Sequence, residues 1–194
     1  MKKKIYFFIL TLILSFNLNI LYASEIKEFE LEGMSIGDSL LDHFSKNEIK
    51  NSKQVNQYPN DSYILYAFSD LMNLKKYDLI TISTKKNDKK YTVTSISAGL
   101  RFSNLDECLN LKKDFNDDIS SIFSEIPKEE VKYKAQRDKT GKSMIYGTQY
   151  YFPSGDFLIA NCMNWSKDMK LTKVFQVSMR TKEYSYFLLN EAYK

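Results

Sequence analysis

The sequence predicts an α+β fold: an antiparallel sheet built from hairpins, a long amphipathic helix packed on one face, and short N- and C-terminal helices. Three observations lead there. β-Branched and aromatic runs come in pairs around turn-rich breaks, at 77–102 and again at 144–165. Between 103 and 125 the apolar residues recur instead at three- and four-residue steps, the period of a helix face. Strands that arrive as hairpins pair antiparallel and leave their helices to collect on one side of the sheet.

The chain begins with MKKKIYFFILTLILSFNLNILYAS: three lysines, an apolar run from Ile5 to Phe16, then a more polar stretch that ends in small residues. This is the layout of a secretory signal peptide. Asn17 and Asn19 interrupt the run before the roughly 20 apolar residues that a spanning helix needs. Cleavage near Ala23 or Ser24 is therefore expected, with no stable membrane anchor afterwards and a periplasmic or secreted product. No cysteine follows the junction to carry a lipid. Residues 25–194 then read as a single α+β domain, since no repeat, low-complexity block or Pro/Gly-rich linker divides them.

Loss of Lys2, Lys3 and Lys4 leaves 25 of the 28 basic residues, nearly balanced by the 24 acidic ones. A nucleic-acid partner wants a basic field. The sequence pI of 8.8 rests largely on those three lysines, so that class is set aside.

SIGDSLLDHF, residues 35–44, places Ser35 three residues before Asp38, the spacing of a capping box that opens a helix. Ile36, Leu40, Leu41 and Phe44 would form its buried side, with Ser39 and His43 turned outward. Residues 45–61 are rich in Asn, Lys and Gln and read as a loop, and SYILYAF at 62–68 as a strand. The hairpin at 77–102 turns at KKNDKK. The longest helix follows, capped by Ser103 or Asn104, with Leu105, Cys108, Phe115, Ile119 and Ile122 as its apolar stripe. PKEEVKYKAQRDKTGKS, charged in both signs, reads as a linker. A second hairpin turns at PSGD, a last strand covers KVFQVSMRT, and a short helix from Lys182 to about Ala192 closes the chain.

The two cysteines, Cys108 and Cys162, allow one intramolecular pairing, and an exported protein meets an oxidising compartment. Cys162 shares a strand face with Leu158 and Ala160, so a helix laid on that face brings Cys108 to it. Closing a loop of this length would contribute about 4 kcal/mol in the chain-entropy model.

Four patterns suggest chemistry, and each is incomplete. Gly-Asp-Ser-Leu at 37–40 resembles the first block of the GDSL serine esterases, which implies Ser39 as nucleophile. That family takes its base from a later Asp-x-x-His block, whereas the chain's one histidine, His43, is four residues away. Asp114, Asn116, Asp118 and Glu125 follow the spacing of a calcium loop, but Ile119 replaces the glycine of its sharp turn. TGKS at 140–143 lacks the earlier glycine of a phosphate loop, where Gln136 stands. One histidine and two cysteines that pair cannot make a four-ligand zinc site. No catalytic residue, cofactor or metal ligand is therefore assigned. Tyr146, Tyr150, Phe157 and Trp165 of the aromatic hairpin are candidates for a ligand groove.

FELEGMSIGDSLLDHF, the Cys-bearing helix, and SGD leading into a strand with the second Cys together resemble small exported proteins of AT-rich bacterial genomes, for which no activity is known. The resemblance implies location and architecture. Gly33, Met34 and Ser35 are also similar to the Gly-Met-Thr/Ser that precedes a helix in outer-membrane assembly lipoproteins of the BamE type, although the lipid-bearing cysteine is missing. The expected function is a non-catalytic envelope domain that binds a small ligand or an envelope protein. The alternative is a periplasmic hydrolase with a GDSL-like serine or a carboxylate site.

Overall fold

Seven extended segments between residues 63 and 180 pair side by side into one sheet. The strands are β1 (Tyr63–Phe68), β2 (Leu79–Lys85), β3 (Ser95–Arg101), β4 (Lys128–Lys134), β5 (Met144–Tyr151), β6 (Phe157–Asn164) and β7 (Val174–Arg180). They form a seven-stranded antiparallel sheet in the order β1-β2-β3-β7-β6-β5-β4. Three helices accompany it: α1 (Lys46–Ser52), α2 (Leu105–Ile122) and α3 (Lys182–Asn190). The computed structural model describes residues 26–55, 57–68, 74 and 76–194. The expected signal peptide at 1–24 lies outside the described residues. Among the described residues no helix is long and apolar enough to cross a membrane.

The register shows how the two faces differ. One transverse row crosses all seven strands: Phe68, Ile80, Ala98, Val177, Ala160, Thr148 and Glu130. It lies on the covered face, apolar from β1 to β6 and polar on β5 and β4. α2 packs chiefly on β6 and touches β7 and β5. Its Phe115 and Ile119 join the main core, whereas Ile122, expected in the same stripe, is 62 % exposed. The helix ends there, and Ile122 is carried past the sheet. The segment before β1 adds Met34, Leu40, Phe44 and Ile49 to that core, with Phe44 stacked on Phe68 at 4.1 Å between ring centroids.

Residues 35–44 do not form the expected helix, and Ser35 and Asp38 do not cap one. Gly37 takes φ +94°, outside the helical range. The Gly37 and Leu40 N–H groups donate to the carbonyls of Val93 and Tyr91, and the Val93 N–H returns to Asp38. Pairing with 91–93 therefore takes the donors an α-helix would use, and one 3-10 turn, Leu40–Asp42, remains. Ser35 N–H does donate to Asp38 Oδ2 at 2.8 Å, but Ser35 Oγ donates to Lys27 O and Phe29 O instead of accepting from a helix. The reciprocal capping box lies ten residues later, between Ser45 and Glu48, and opens α1 inside the expected loop.

The charged linker is a second correction, because Lys128–Lys134 is β4, the edge strand beside β5. Charged side chains suit an edge, where they discourage pairing with another chain. α3 crosses the other side of the sheet at β1 and β2. There Tyr184, Phe187 and Ala192 close a small second core with Tyr63, and Ser83 Oγ donates to Tyr184 Oη at 2.8 Å.

Candidate functional site

Ser39 is held as a structural group. Its Oγ donates to Lys90 O at 2.7 Å and accepts from Leu41 N–H, so it faces the turn after β2. His43 Nε2 instead lies 3.8 Å from Asp38 Oδ2. No hydrogen bond joins Ser39 to His43, so the base is not applied to the hydroxyl. Residues 114–122 lie within α2, which excludes a calcium loop there. TGKS belongs to the β4–β5 turn. Asp138 in that turn accepts from Thr140 N and Oγ1, Ser143 N and Oγ, and Ser166 Oγ. The bonds from Ser143 and then Thr140 hold its carboxyl far below the usual carboxylate range. Among the described residues, no three His, Cys, Asp or Glu side chains are placed to share a metal ion.

The four aromatics expected to line a groove do not come together. Tyr146 and Tyr150 point to the face under α2, as Cys162, the strand partner of Tyr146, does. Tyr150 is 1 % exposed, with its hydroxyl donated to Asn116 Oδ1 at 3.0 Å and burial pushing its pKa up to about 12. Phe157 lies on the opposite face against Tyr151, with 5.5 Å between ring centroids. Trp165 follows the end of β6, half-buried.

Cys108 and Cys162 form a disulfide, with Cα atoms 5.9 Å apart. It ties the second turn of α2 to β6. One and two turns further along the same line of the helix, Lys112 and Asn116 continue the attachment. Lys112 Nζ donates to Glu130 and to Thr148 Oγ1, while Asn116 Nδ2 donates to Thr148 Oγ1 at 2.8 Å. Thr148 Oγ1 in turn donates to Glu130 Oε1 at 2.6 Å. Burial would raise the Glu130 carboxyl, but the bonds from Lys112 and Thr148 outweigh it and hold the group below its ordinary value. Lysine beside a hydroxyl suggests nucleophile activation. Thr148 is fully buried and every polar atom of the set has a partner, so the set is a helix-to-sheet clamp.

Among the described residues, three buried side-chain oxygens lack a partner: Ser52 Oγ on α1, Ser185 Oγ on α3, and Asn161 Oδ1 on the other face of the sheet. One row there runs Leu79, Gly99, Gln176, Asn161, Gly147, Val131 across six strands. Its centre is a pair of carboxamides flanked by two glycines. A Cβ on Gly147 would stand 2.1 Å from Asn161 Oδ1, and one on Gly99 would stand 2.9 Å from Val174 Cγ1. The two glycines thus let Asn161 and Val174 lie flat and lower the face along the row. Asn161 is 7 % exposed, and its Oδ1 is buried without a donor. A buried polar atom in that state is uncommon and asks for a reason. Next to it, Gln176 lines a depression of about 250 Å³ with Thr81, Ser97, Gly99, Arg101 and Met163. Asp78 stands at the same rim and accepts the Arg101 backbone N–H at 2.8 Å. No family model, curated protein or solved structure matches the chain.

None of these residues was singled out by sequence. Asn161 and Gln176 are 15 residues apart on different strands, and only the β6–β7 register sets them side by side. The one local signal was a glycine inside each of two strands, a feature that often marks a close approach.

Two other concavities serve less well. A wider one of about 760 Å³ lies between α3 and the ends of β1 and β2. Four of its five charged groups are already matched, Lys85 with Glu183 and Lys86 with Asp61. Another, lined by Tyr77, Phe115 and Ile119, has a largely apolar floor, with Glu30, Lys76 and Asp118 among its polar lining.

Proposed function

We propose that the protein is an exported, non-catalytic binding domain of the cell envelope, and that it holds a small ligand on the open face of its sheet. The observation that carries this reading is Asn161 Oδ1, buried without a donor, next to the Gln176 carboxamide that lines a depression. In a scaffold under no other demand, such a buried atom would be paired or replaced by an apolar group. The signal-like segment 1–24 supports export, and the Cys108–Cys162 bond suits an oxidising compartment. In this reading the hairpin-built sheet is the platform. α2 is clamped beneath it by the disulfide and the Lys112 cluster, which leaves the opposite face to the ligand.

The test is amide NMR of the ¹⁵N-labelled protein, recorded with and without a clarified envelope extract of its host. Shifts confined to β3, β7 and β6 and to the side-chain amides of Asn161 and Gln176 are expected. A spectrum unchanged by the extract would overturn the binding reading. So would ester hydrolysis that vanishes in Ser39→Ala.

A further inference from the structure

Resting on that binding reading, we propose that the ligand is a neutral oligosaccharide lying across the strands, from the Gln176 depression to Tyr133 on β4. Four features of the open face select this class. First, the charged lining of the depression is one acid and one base, Asp78 and Arg101, so the site carries no net charge to reward an ionic ligand. Second, the central groups are carboxamides. Each offers both a donor and an acceptor, as each sugar hydroxyl does, so a ring with adjacent hydroxyls can pair with both ends of Gln176, which lines the depression.

Third, a peptide has little to gain here. The N–H and C=O groups of β3, β7, β6 and β5 are committed to ladders on both sides, because all four strands are internal. A peptide chain pairs with a free edge and not with a face. Fourth, the same face ends in an exposed aromatic. Tyr133 is 41 % exposed on β4, in the row of Ile145, Met163 and Val174. It offers the apolar side of a sugar ring a flat surface. From β3 to β4 there are four strand spacings, roughly 19 Å at about 4.8 Å each, which suits a chain of three or four sugar units. The depression of about 250 Å³ takes one unit, and the lowered row between the glycines carries the others.

The experiment titrates the protein, as its host processes and folds it, with cellotetraose, maltotetraose and tetra-N-acetylchitotetraose. Tetra-alanine and a tetragalacturonate serve as comparison probes. The expected result is a shift of the Asn161 and Gln176 side-chain NH₂ signals by at least one neutral saccharide at millimolar concentration. Gln176→Ala and Tyr133→Ala should each weaken that response at least fivefold. Gln176 and Tyr133 are partly or well exposed, so these variants keep the fold, and unchanged backbone spectra verify it. A response to tetra-alanine or tetragalacturonate without one to the neutral sugars overturns the saccharide assignment. A response to envelope extract alone overturns it as well and leaves the binding reading standing. Silence toward extract and sugars together removes both.

Discussion

Asn161 on β6 rests against Gly147 on β5 so closely that a single methyl group on the glycine would collide with its Oδ1, 2.1 Å away. The pair makes the centre of the open face low, and it also makes Gly147 intolerant of change. The Val131 Cγ2 atom would stand 3.0 Å from the same methyl on the other side, so the glycine is hemmed in from both neighbouring strands.

Gly147→Ala should therefore destabilise the protein by about 1–3 kcal/mol, the usual range for overpacking a closely packed site. Urea denaturation measures it. Adding Asn161→Ala should recover part of the loss, because the shorter side chain removes the nearer of the two collisions. Equal and additive losses in the double variant would show that the contact is not what constrains Gly147.

The disulfide makes the next prediction. Replacing both Cys108 and Cys162 by alanine should lower stability by about 4 kcal/mol in the chain-entropy model, given the 54-residue separation. Intact mass of the unreduced protein should be two hydrogens below the thiol form. Two thiols that react with iodoacetamide in the folded protein would contradict the bond.

How much of the fold is legible in the sequence follows from how local each signal is. The antiparallel, mixed α and β character was legible because hairpins declare themselves within about twenty residues. The cysteine pair was legible by elimination, there being only two. The turn at 35–44 was misread because Ser35 and Asp38 make a helix-like spacing, while the competing partners, Tyr91 and Val93, are more than fifty residues away. β4 was missed for a different reason. Its Glu129, Val131 and Tyr133 do alternate with charged residues, but an edge strand needs little apolar surface, and the charges read as a linker. Lys112 and Asn116 lie outside the apolar stripe of the helix, and only the placement of Glu130 and Thr148 beneath them accounts for their burial. The amide row had no sequence signature at all, since it is a product of register across six strands.

Removing Lys112 tests the clamp under α2. Lys112→Met should cost about 1–2 kcal/mol, toward the low side of the roughly 1–3 kcal/mol expected when a buried hydrogen-bonding group loses its partner. Glu130 moderates the effect, because its side chain is 61 % exposed and still accepts from Thr148 and Asn116. The double variant Lys112→Met with Glu130→Gln should lose less than the sum of the two single changes. Strict additivity would mean that the two side chains do not support each other in solution.

Acid should weaken the fold through carboxylates whose pKa values are lowered in the folded state, Asp138 and Glu130 together with Glu48, Asp61 and Asp88. A group of this kind adds stability above its unfolded pKa, and that contribution fades as pH falls through the folded value. Stability should accordingly hold from neutral pH down to the ordinary carboxylate range and decline below it. Asp138→Asn should flatten part of that decline while lowering stability at pH 7, since an amide cannot accept all the donors that Thr140, Ser143 and Ser166 supply. Urea midpoints for both proteins between pH 7 and pH 3 measure this. A decline equally steep in the variant would mean that Asp138 is not among the groups that titrate with unfolding.

Ser39 offers the sharpest separation between scaffold and chemistry. Its hydroxyl bridges the Leu41 N–H and the Lys90 carbonyl, joining the 3-10 turn to the segment that follows β2. Ser39→Ala should lower stability by about 1 kcal/mol, as expected for losing a cap and one hydrogen bond. Thermal unfolding reads that loss. In the same samples, hydrolysis of p-nitrophenyl acetate should proceed at the same rate for both proteins. The geometry requires this result, because the hydroxyl is committed to Lys90 O and the His43 imidazole is turned to Asp38. A rate above buffer that disappears with the hydroxyl would instead mean that the turn rearranges to present Ser39 to substrate.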